Sequence, residues 1–117
     1  MKYEIDILKA LADENRLKIF TLLLFTEVCV CKIEDYLGLK QANISKHMMK
    51  LRKLNMVESR KDSRWVHYRV CKTFVQEHQK LIDYLKNKAL ENEEIVSILK
   101  SLDVKTEFSS SCSCDHK

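Results

Sequence analysis

Apolar residues near the start of the chain recur at helical spacing. In residues 3–12 one face is formed by Ile5, Leu8 and Leu11. Asp13 follows, a residue type that often caps a helix. The next apolar stripe consists of Leu17, Phe20, Leu23 and Leu24. This pattern predicts two consecutive helices, the second ending near residue 26.

The middle of the chain predicts two short helices joined by a tight turn. Residues 28–31 are extended or form a helix entrance, and residues 32–37 predict a short helix. Gly38 comes next, and glycine readily adopts the left-handed conformation that ends many helices. A second helix runs to about residue 54, with an inner face of Ile44, Met48, Leu51 and Leu54. This arrangement is typical of a helix–turn–helix.

The last third combines a predicted hairpin with further helices. Residues 56–60 and 65–70 alternate apolar and polar positions, which is the period of half-buried strands, and the charged residues 61–64 predict the turn. Helical spacing returns over residues 72–89 and again over residues 95–102. The apolar stripes of the terminal helices exceed what the small core can cover, so we expect a homodimer interface there.

Composition agrees with a helical protein. The chain has no proline and one glycine, whereas all-β folds need many turns. We therefore predict a mainly α fold with a small β-hairpin, a winged helix–turn–helix that dimerises through its N- and C-terminal helices. Residues 1–102 would form this DNA-binding and dimerisation domain. Residues 103–117 would form a flexible, cysteine-containing tail.

Several classes of protein are excluded. No apolar run approaches the roughly 18 residues that a membrane span needs, and the start has no signal-peptide core. A cytoplasmic protein without a membrane partner is expected. No nucleophile–base pair or phosphate loop stands out, so we do not expect an enzyme.

Basic charge is concentrated in one part of the chain. Residues 40–72 contain ten Lys or Arg residues and two acidic ones, a local charge of +8 within a total of +4. A face that binds the phosphates of double-stranded operator DNA requires such a concentration. The alternative is an ordinary solvated helical face.

Candidate DNA contacts lie on the second helix of the motif and on the hairpin. The outward positions of the helix are Gln41, Asn43, Ser45, Lys46 and Lys50. Glutamine and asparagine can pair with adenine, and lysine suits phosphates. The hairpin adds Arg60, Lys61 and Arg64, which would reach a neighbouring groove or the backbone.

Two close pairs of cysteines are candidate ligands. Cys29 and Cys31 precede the helix–turn–helix, where residues i and i+2 of a strand would turn both sulfurs to one ion. The amino end of the following helix would favour thiolates. Cys112 and Cys114, in the tail, would complete a three-sulfur site, bind metal independently or be inert. The alternative for any single cysteine is a small buried apolar residue.

These motifs together resemble the ArsR/SmtB family of metal-responsive repressors, and within it the arsenic-sensing branch. The resemblance is carried by residues 11–19, 27–31, 41–47 and 61–69, and it covers roughly residues 5–74. It implies a homodimeric repressor that leaves its operator when an inducer binds. In this branch the inducer is As(III) or Sb(III), held by the sulfurs of Cys29 and Cys31.

The chain departs from the branch at one position. A third cysteine often follows the pair by three residues, and here that position is Glu34. Either Cys112 or Cys114 replaces it, or two sulfurs suffice, which would suit a methylated arsenite. Cadmium and lead are less favoured inducers, because their sensors add cysteines from an N-terminal arm and this chain has none before Cys29.

Two rival functions stay open. One is a repressor that senses cadmium, lead or thiol oxidation. The other belongs to a different class, a thiol-based metalloid carrier, which would bind no specific DNA sequence.

Overall fold

The computed structural model describes residues 1–102, so the predicted tail with Cys112 and Cys114 lies outside the described residues. In chain order the elements are α1 (Lys2–Leu11), α2 (Glu14–Leu23), β1 (Val28–Cys29), α3 (Val30–Leu37), α4 (Gln41–Lys53), β2 (Val57–Asp62), β3 (Trp65–Val70), α5 (Lys72–Glu77), α6 (Gln79–Leu90) and α7 (Glu93–Ser101). The predicted fold class, helical with a small β-hairpin, is confirmed.

Helices α1 and α2 meet at a capped corner. The side chain of Asp13 accepts a hydrogen bond from the backbone N–H of Arg16 at 3.0 Å, as its residue type predicts. The apolar face assigned to α1 is only partly right. Ile7 is buried against the core, whereas Ile5 and Leu8 are 47% and 62% exposed. The helix therefore carries a second apolar face that residues 1–102 of one chain leave uncovered.

A glycine turn separates α3 from α4. Gly38 has a φ of +65° and donates its N–H to the carbonyl oxygen of Glu34 at 2.9 Å, ending α3 in the left-handed conformation. The inner face of α4 is fully buried at Ile44, Met48 and Leu51. The helix–turn–helix is thus anchored by packing, which leaves the opposite face of α4 exposed.

The hairpin of β2 and β3 is part of a three-stranded antiparallel sheet in the order β1-β3-β2. The predicted four-residue turn is too long, because Asp62 still pairs with Trp65 and only two residues connect the strands. Ser63 has a φ of +60°, and a positive φ at the first central position belongs to a type II′ turn. Its backbone twist matches that of the strands.

The region predicted as one helix over residues 72–89 is two helices, α5 and α6. His78 interrupts them with φ −129° and ψ 42°. Its ring packs 4.4 Å from that of Phe74 and 5.9 Å from that of Tyr3, measured between centroids. The apolar spacing continues through this break, so periodicity alone could not reveal it. None of the helices in residues 1–102 is long and apolar enough to cross a membrane.

Candidate thiol site and nucleic-acid interface

The sulfurs of Cys29 and Cys31 lie side by side. The Sγ–H of Cys31 points to Sγ of Cys29 at 2.8 Å, and the backbone N–H of Cys31 donates to the same sulfur at 3.4 Å. Cys29 is buried and Cys31 is half-buried. Two sulfurs bound to one ion at about 2.3 Å stand roughly 3–4 Å apart, so a small adjustment would let this pair share an ion.

The sulfurs meet for a reason other than the predicted one. Only Cys29 lies in a strand, because α3 already begins at Val30. Cys29 is the N-cap of α3, and its side chain folds over the first turn, where Cys31 lies. The two thiols are therefore brought together by a helix cap and not by the alternation of a strand.

The expectation that the helix start favours a thiolate is wrong for Cys31. Burial, followed by the hydrogen bond to Cys29, raises the pKa of the Cys31 thiol to about 12. Nearby Lys32 opposes this shift but does not outweigh it. At neutral pH the Cys31 thiol therefore keeps its proton in the absence of a ligand.

Within residues 1–102 the structure brings no third ligand to the pair. No group of three His, Cys, Asp or Glu side chains able to hold a metal ion occurs in this range. Cys71, the remaining described cysteine, lies elsewhere, 4.0 Å from Oε1 of Glu58. Burial, followed by the charge of Glu58, raises the pKa of Cys71. Cys71 is therefore separate from the thiol pair.

The sheet connects the thiol pair to the hairpin. Cys29 pairs with His67 of β3, and His67 pairs on its other side with Arg60 of β2. His67 is 2% exposed, so the centre of this row is buried. Just before β1, the carboxylate of Glu27 accepts hydrogen bonds from Nε and Nη2 of Arg60 at 2.8–3.1 Å. This ion pair therefore links the residue that precedes β1 to β2, across β3.

The exposed face of α4 carries all five side chains predicted to contact DNA from this helix. Each of them is solvent-exposed: Gln41, Asn43, Ser45, Lys46 and Lys50. The helix contains no acidic residue, and its last turn adds Arg52 and Lys53. A polar start and a basic end, with no acid to repel phosphate, suit insertion into a major groove.

A cluster at the start of α2 holds the centre of α4. Nη1 of Arg16 lies 3.2 Å from Nδ1 of His47, and Nε of Arg16 donates to the carbonyl oxygen of Ala10 at 2.7 Å. Oδ2 of Asp13 is 4.0 Å from Nε2 of His47. Burial lowers the pKa of His47 below its ordinary value, and the charges of Arg16 and Lys50 lower it further against the opposing effect of Asp13.

The three hairpin candidates occupy different places. Lys61 is exposed on β2, and Arg64 is exposed in the turn, with its guanidinium 5.6 Å from the centroid of the Trp65 ring. Arg60 differs, because its guanidinium is engaged by Glu27 and also lies 3.9 Å from Asp62. Lys61 and Arg64 are therefore exposed to solvent near the tip of the hairpin. Arg60 instead forms an ion pair with Glu27, close to the cysteine pair.

Comparison with known proteins decides the family. The family model described as "Bacterial regulatory protein, arsR family" matches residues 13–59. The arsenical resistance operon repressor of Escherichia coli K12 is 36% identical over 99 residues, which are 84% of this chain and 83% of that protein. The chain belongs to the arsR family.

Two further proteins extend the comparison. The cadmium resistance transcriptional regulatory protein CadC of Listeria innocua is 44% identical over 61 residues, 51% of each chain. The homodimeric winged helix–turn–helix domain of Mb0332 from Mycobacterium bovis superposes with a TM-score of 0.62 at 27% identity, covering 77% of this chain and 83% of that one. The winged helix–turn–helix fold is confirmed, and this arsR-family chain is a transcriptional regulator and not an enzyme.

Sequence reasoning missed two residues that organise this arsR-family site. Glu27 and Arg16 were part of the resemblance, but no role was assigned to either. Glu27 is separated from Arg60 by 33 positions and Arg16 from His47 by 31. Spacing along the chain carries no signal for such pairs, although an acidic residue beside a cysteine pair is a weak hint of a partner elsewhere.

Proposed function

We propose that this protein is a repressor that binds operator DNA as a homodimer and is released when As(III) or Sb(III) binds Cys29 and Cys31. The observation that carries the proposal is the 2.8 Å approach of the two sulfurs at the first turn of α3. This helix leads directly into the turn and into α4. A ligand on the sulfurs therefore acts at the entrance of the DNA-reading unit.

The chemistry of arsenite suits a pair of adjacent thiols. Neutral arsenous acid condenses with two thiols, As(OH)₃ + 2 RSH → (RS)₂As–OH + 2 H₂O. Two As–S bonds form, two As–OH bonds break, and the thiol protons leave as water. Thiolates are soft ligands that select such acceptors over magnesium or calcium. Two sulfurs within reach of one atom are what this reaction requires.

Arsenic bound by Cys29 and Cys31 has a third coordination position, for which there are three candidate ligands. Among residues 1–102 no third ligand stands beside the pair. The position is filled by the remaining hydroxide, by the methyl group of a methylated arsenite, or by the thiol of Cys112 or Cys114. The three choices differ in the number of As–S bonds, which X-ray absorption of the arsenic-loaded protein counts directly.

DNA binding and dimerisation belong to the same proposal. The α4 residues would enter the major groove, and Lys61, Arg64 and the hairpin would contact adjacent backbone. The uncovered apolar face of α1 at Ile5 and Leu8 supports a symmetric dimer, since such faces are buried in interfaces. A protein that regulates a bacterial operon with reduced thiols would act in the cytoplasm.

Release requires that the inducer prefer the form of the protein that is not bound to DNA. A ligand weakens DNA binding only through the difference in its own affinity for the two forms. Couplings of about 1–3 kcal/mol correspond to a 5- to 150-fold loss of operator affinity. Closing a chelate at the cap of α3 would shift the start of this helix and thereby α4, which packs against it.

A cadmium- or lead-sensing repressor is the second candidate, favoured by the 44% identity to the cadmium regulator over half of the chain. The two candidates differ in proton balance. A divalent cation that binds two thiols displaces two protons, so its affinity rises steeply with pH. Arsenous acid releases water only. Titrations of both ligands at two pH values therefore separate them.

The proposal is tested by fluorescence anisotropy on the chain's own promoter, with and without arsenite. Wild type should be released. The double variant Cys29→Ser, Cys31→Ser should bind the promoter equally well in both conditions, whereas Cys71→Ser, the matched control, should respond like wild type. Release of the double variant by arsenite would show that the thiol site is wrong.

A chain ending at residue 111 tests the tail within the same assay. A normal response would remove Cys112 and Cys114 from the ligand set, and a lost response would include at least one of them. Failure of wild type to recognise any promoter sequence would favour the thiol carrier. Release by peroxide with no effect of arsenite would favour a redox sensor.

A further inference from the structure

The ion pair between Glu27 and Arg60 crosses the middle strand of the sheet. Three hydrogen-bond distances of 2.8–3.1 Å join the carboxylate to Nε and Nη2 of the guanidinium. The Glu27 side chain is 15% exposed and that of Arg60 is 51% exposed. A two-pronged contact with one partner largely covered holds a fixed geometry, unlike most surface ion pairs.

Glu27, one member of this ion pair, is close to the thiols along the chain. Glu27 lies two residues before Cys29, the N-cap of α3. Two residues of extended chain span at most about 7 Å, so Glu27 is close enough for a backbone change at Cys29 to act on it. A ligand that closes a ring between Cys29 and Cys31 therefore acts on the position of the Glu27 carboxylate.

The other end belongs to the DNA-facing hairpin. Arg60 lies in β2, in the same row as Cys29 with His67 between them. The next residue on this strand, Lys61, is exposed near the tip. β1 and β2 share no backbone hydrogen bonds, because β3 separates them. The ion pair between Glu27 and Arg60 thus links the residue just before β1, the strand that contains Cys29, directly to β2.

We propose that the Glu27–Arg60 ion pair transmits ligand binding at the thiol pair to the hairpin, and that this contact carries part of the coupling between inducer and operator. The inference rests on the proposed function. In the free protein Glu27 holds the hairpin in the orientation that fits DNA. Ligand binding at Cys29 and Cys31 moves Glu27, and the hairpin follows through Arg60. Glu27 is therefore a positioning residue.

The test compares Glu27→Gln with Glu58→Gln. Glu58 accepts a hydrogen bond from Nε of Arg69 at 2.6 Å, directly opposite on the same hairpin. Both substitutions remove one carboxylate that is paired with an arginine of the hairpin. Only Glu27→Gln removes a contact between the hairpin and the segment that leads into β1. Two quantities are measured for each variant: arsenite affinity of the free protein, from near-ultraviolet absorbance, and the ratio of operator dissociation constants with and without arsenite.

The expected result separates coupling from binding. Glu27→Gln should keep its arsenite affinity within about twofold, whereas its ratio of operator constants should be at least about threefold smaller than the wild-type ratio, which is expected in the usual range of about 5- to 150-fold. Glu58→Gln should keep the wild-type ratio. Arg60→Gln should lose the same coupling as Glu27→Gln, and the double variant should lose no more than either single variant.

Three results would overturn the inference. In the first, Glu27→Gln keeps the wild-type ratio. In the second, it binds arsenite much more weakly, which would make Glu27 part of the ligand site. In the third, Glu58→Gln loses coupling equally, so that any charge change on the hairpin suffices. If arsenite does not release wild type itself, the proposed function fails together with the inference, whereas a responsive wild type with an equally responsive Glu27→Gln overturns the inference alone.

Discussion

Nη1 of Arg16 lies 3.2 Å from Nδ1 of His47, and this contact ties the start of α2 to the centre of α4. Arg16 is itself fixed, because its Nε donates to the carbonyl oxygen of Ala10. His47 is on the helix that is predicted to contact DNA, but it is half-buried, so its ring does not project freely into solvent. The direction of α4 is thus set by side chains as well as by its apolar face.

Replacing Arg16 with lysine keeps the charge but removes the planar, multiply donating group. A hydrogen bond that involves a charged group contributes about 1.5–3 kcal/mol, so we expect a loss of that order in the free energy of unfolding. Operator affinity should fall roughly tenfold, which corresponds to about 1.4 kcal/mol. Urea unfolding and anisotropy titrations measure the two effects.

Lys18 supplies the matched control for Arg16. It lies on the same helix, where its amine is paired with Glu14 and Glu94 at 3.2 and 3.1 Å. Lys18→Gln should leave operator affinity unchanged, whatever it does to stability. Equal losses of affinity for Arg16→Lys and Lys18→Gln would mean that the Arg16–His47 contact does not orient α4.

The lowered pKa of His47 predicts a pH dependence of stability. Burial, with Arg16 and Lys50 on either side, disfavours the charged ring despite Asp13. The unfolded chain therefore takes up the proton first, so stability is complete above the ordinary pKa of 6.5 and falls as the pH drops through the lower folded value. Urea unfolding between about pH 7.5 and about pH 5.5 checks this.

His47→Asn tests whether His47, and not another histidine, causes this pH dependence. The variant has no titrating ring, but its amide oxygen can replace Nδ1 as the acceptor for Arg16. The variant should lose less stability on acidification than wild type over the same range. If both proteins lose stability in parallel, His47 does not titrate as the structure implies, and the acid sensitivity belongs to other groups.

Gly38→Ala tests the turn of the helix–turn–helix. A Cβ at this position would meet no atom within 4 Å, so the cost comes only from the backbone φ of +65°. For a residue with a side chain this conformation costs about 1–2 kcal/mol, and asparagine tolerates it better than alanine. We expect Gly38→Asn to be less destabilised than Gly38→Ala in urea unfolding. A loss below about 0.5 kcal/mol for alanine would contradict the fixed left-handed turn.

Leu8→Gln tests the dimer. Leu8 is 62% exposed in a single chain, and burying a leucine contributes about 1.5–3 kcal/mol. Only the exposed part of Leu8 remains to be buried, and a symmetric interface contains the position twice, so dimer dissociation should become easier by roughly twentyfold or more. Sedimentation equilibrium measures this change. Lys9→Gln, an exposed neighbour on α1, is the control, and an unchanged dimer for Leu8→Gln would place the interface elsewhere.

The fold could be predicted from the sequence wherever one residue type or one period determines a local structure. Gly38 marked the end of α3, Asp13 marked the cap of α2, and alternation marked both strands of the hairpin. The pattern failed where packing decides instead. At His78 the helix breaks beside the rings of Tyr3 and Phe74, and the apolar spacing runs through the break unchanged.

The residues of the thiol site could be predicted from the sequence. The cause of their proximity and the pKa of Cys31 could not. The adjacency of the sulfurs was expected from a strand, yet it arises because Cys29 caps α3. The thiolate expected from the helix dipole is opposed by burial, which raises the pKa of Cys31. The Glu27–Arg60 pair joins positions distant in the chain, and only the sheet order β1-β3-β2 brings them together.

The most direct measurement compares the affinity of arsenite for the free protein with its affinity for the protein saturated with operator DNA. Thermodynamic linkage requires that DNA weaken arsenite binding by the same factor by which arsenite weakens DNA binding, about 5- to 150-fold for a typical coupling. We predict equal factors within this range, and their loss in Cys29→Ser, Cys31→Ser. Equal arsenite affinities with and without DNA would contradict an inducer acting through the thiol pair.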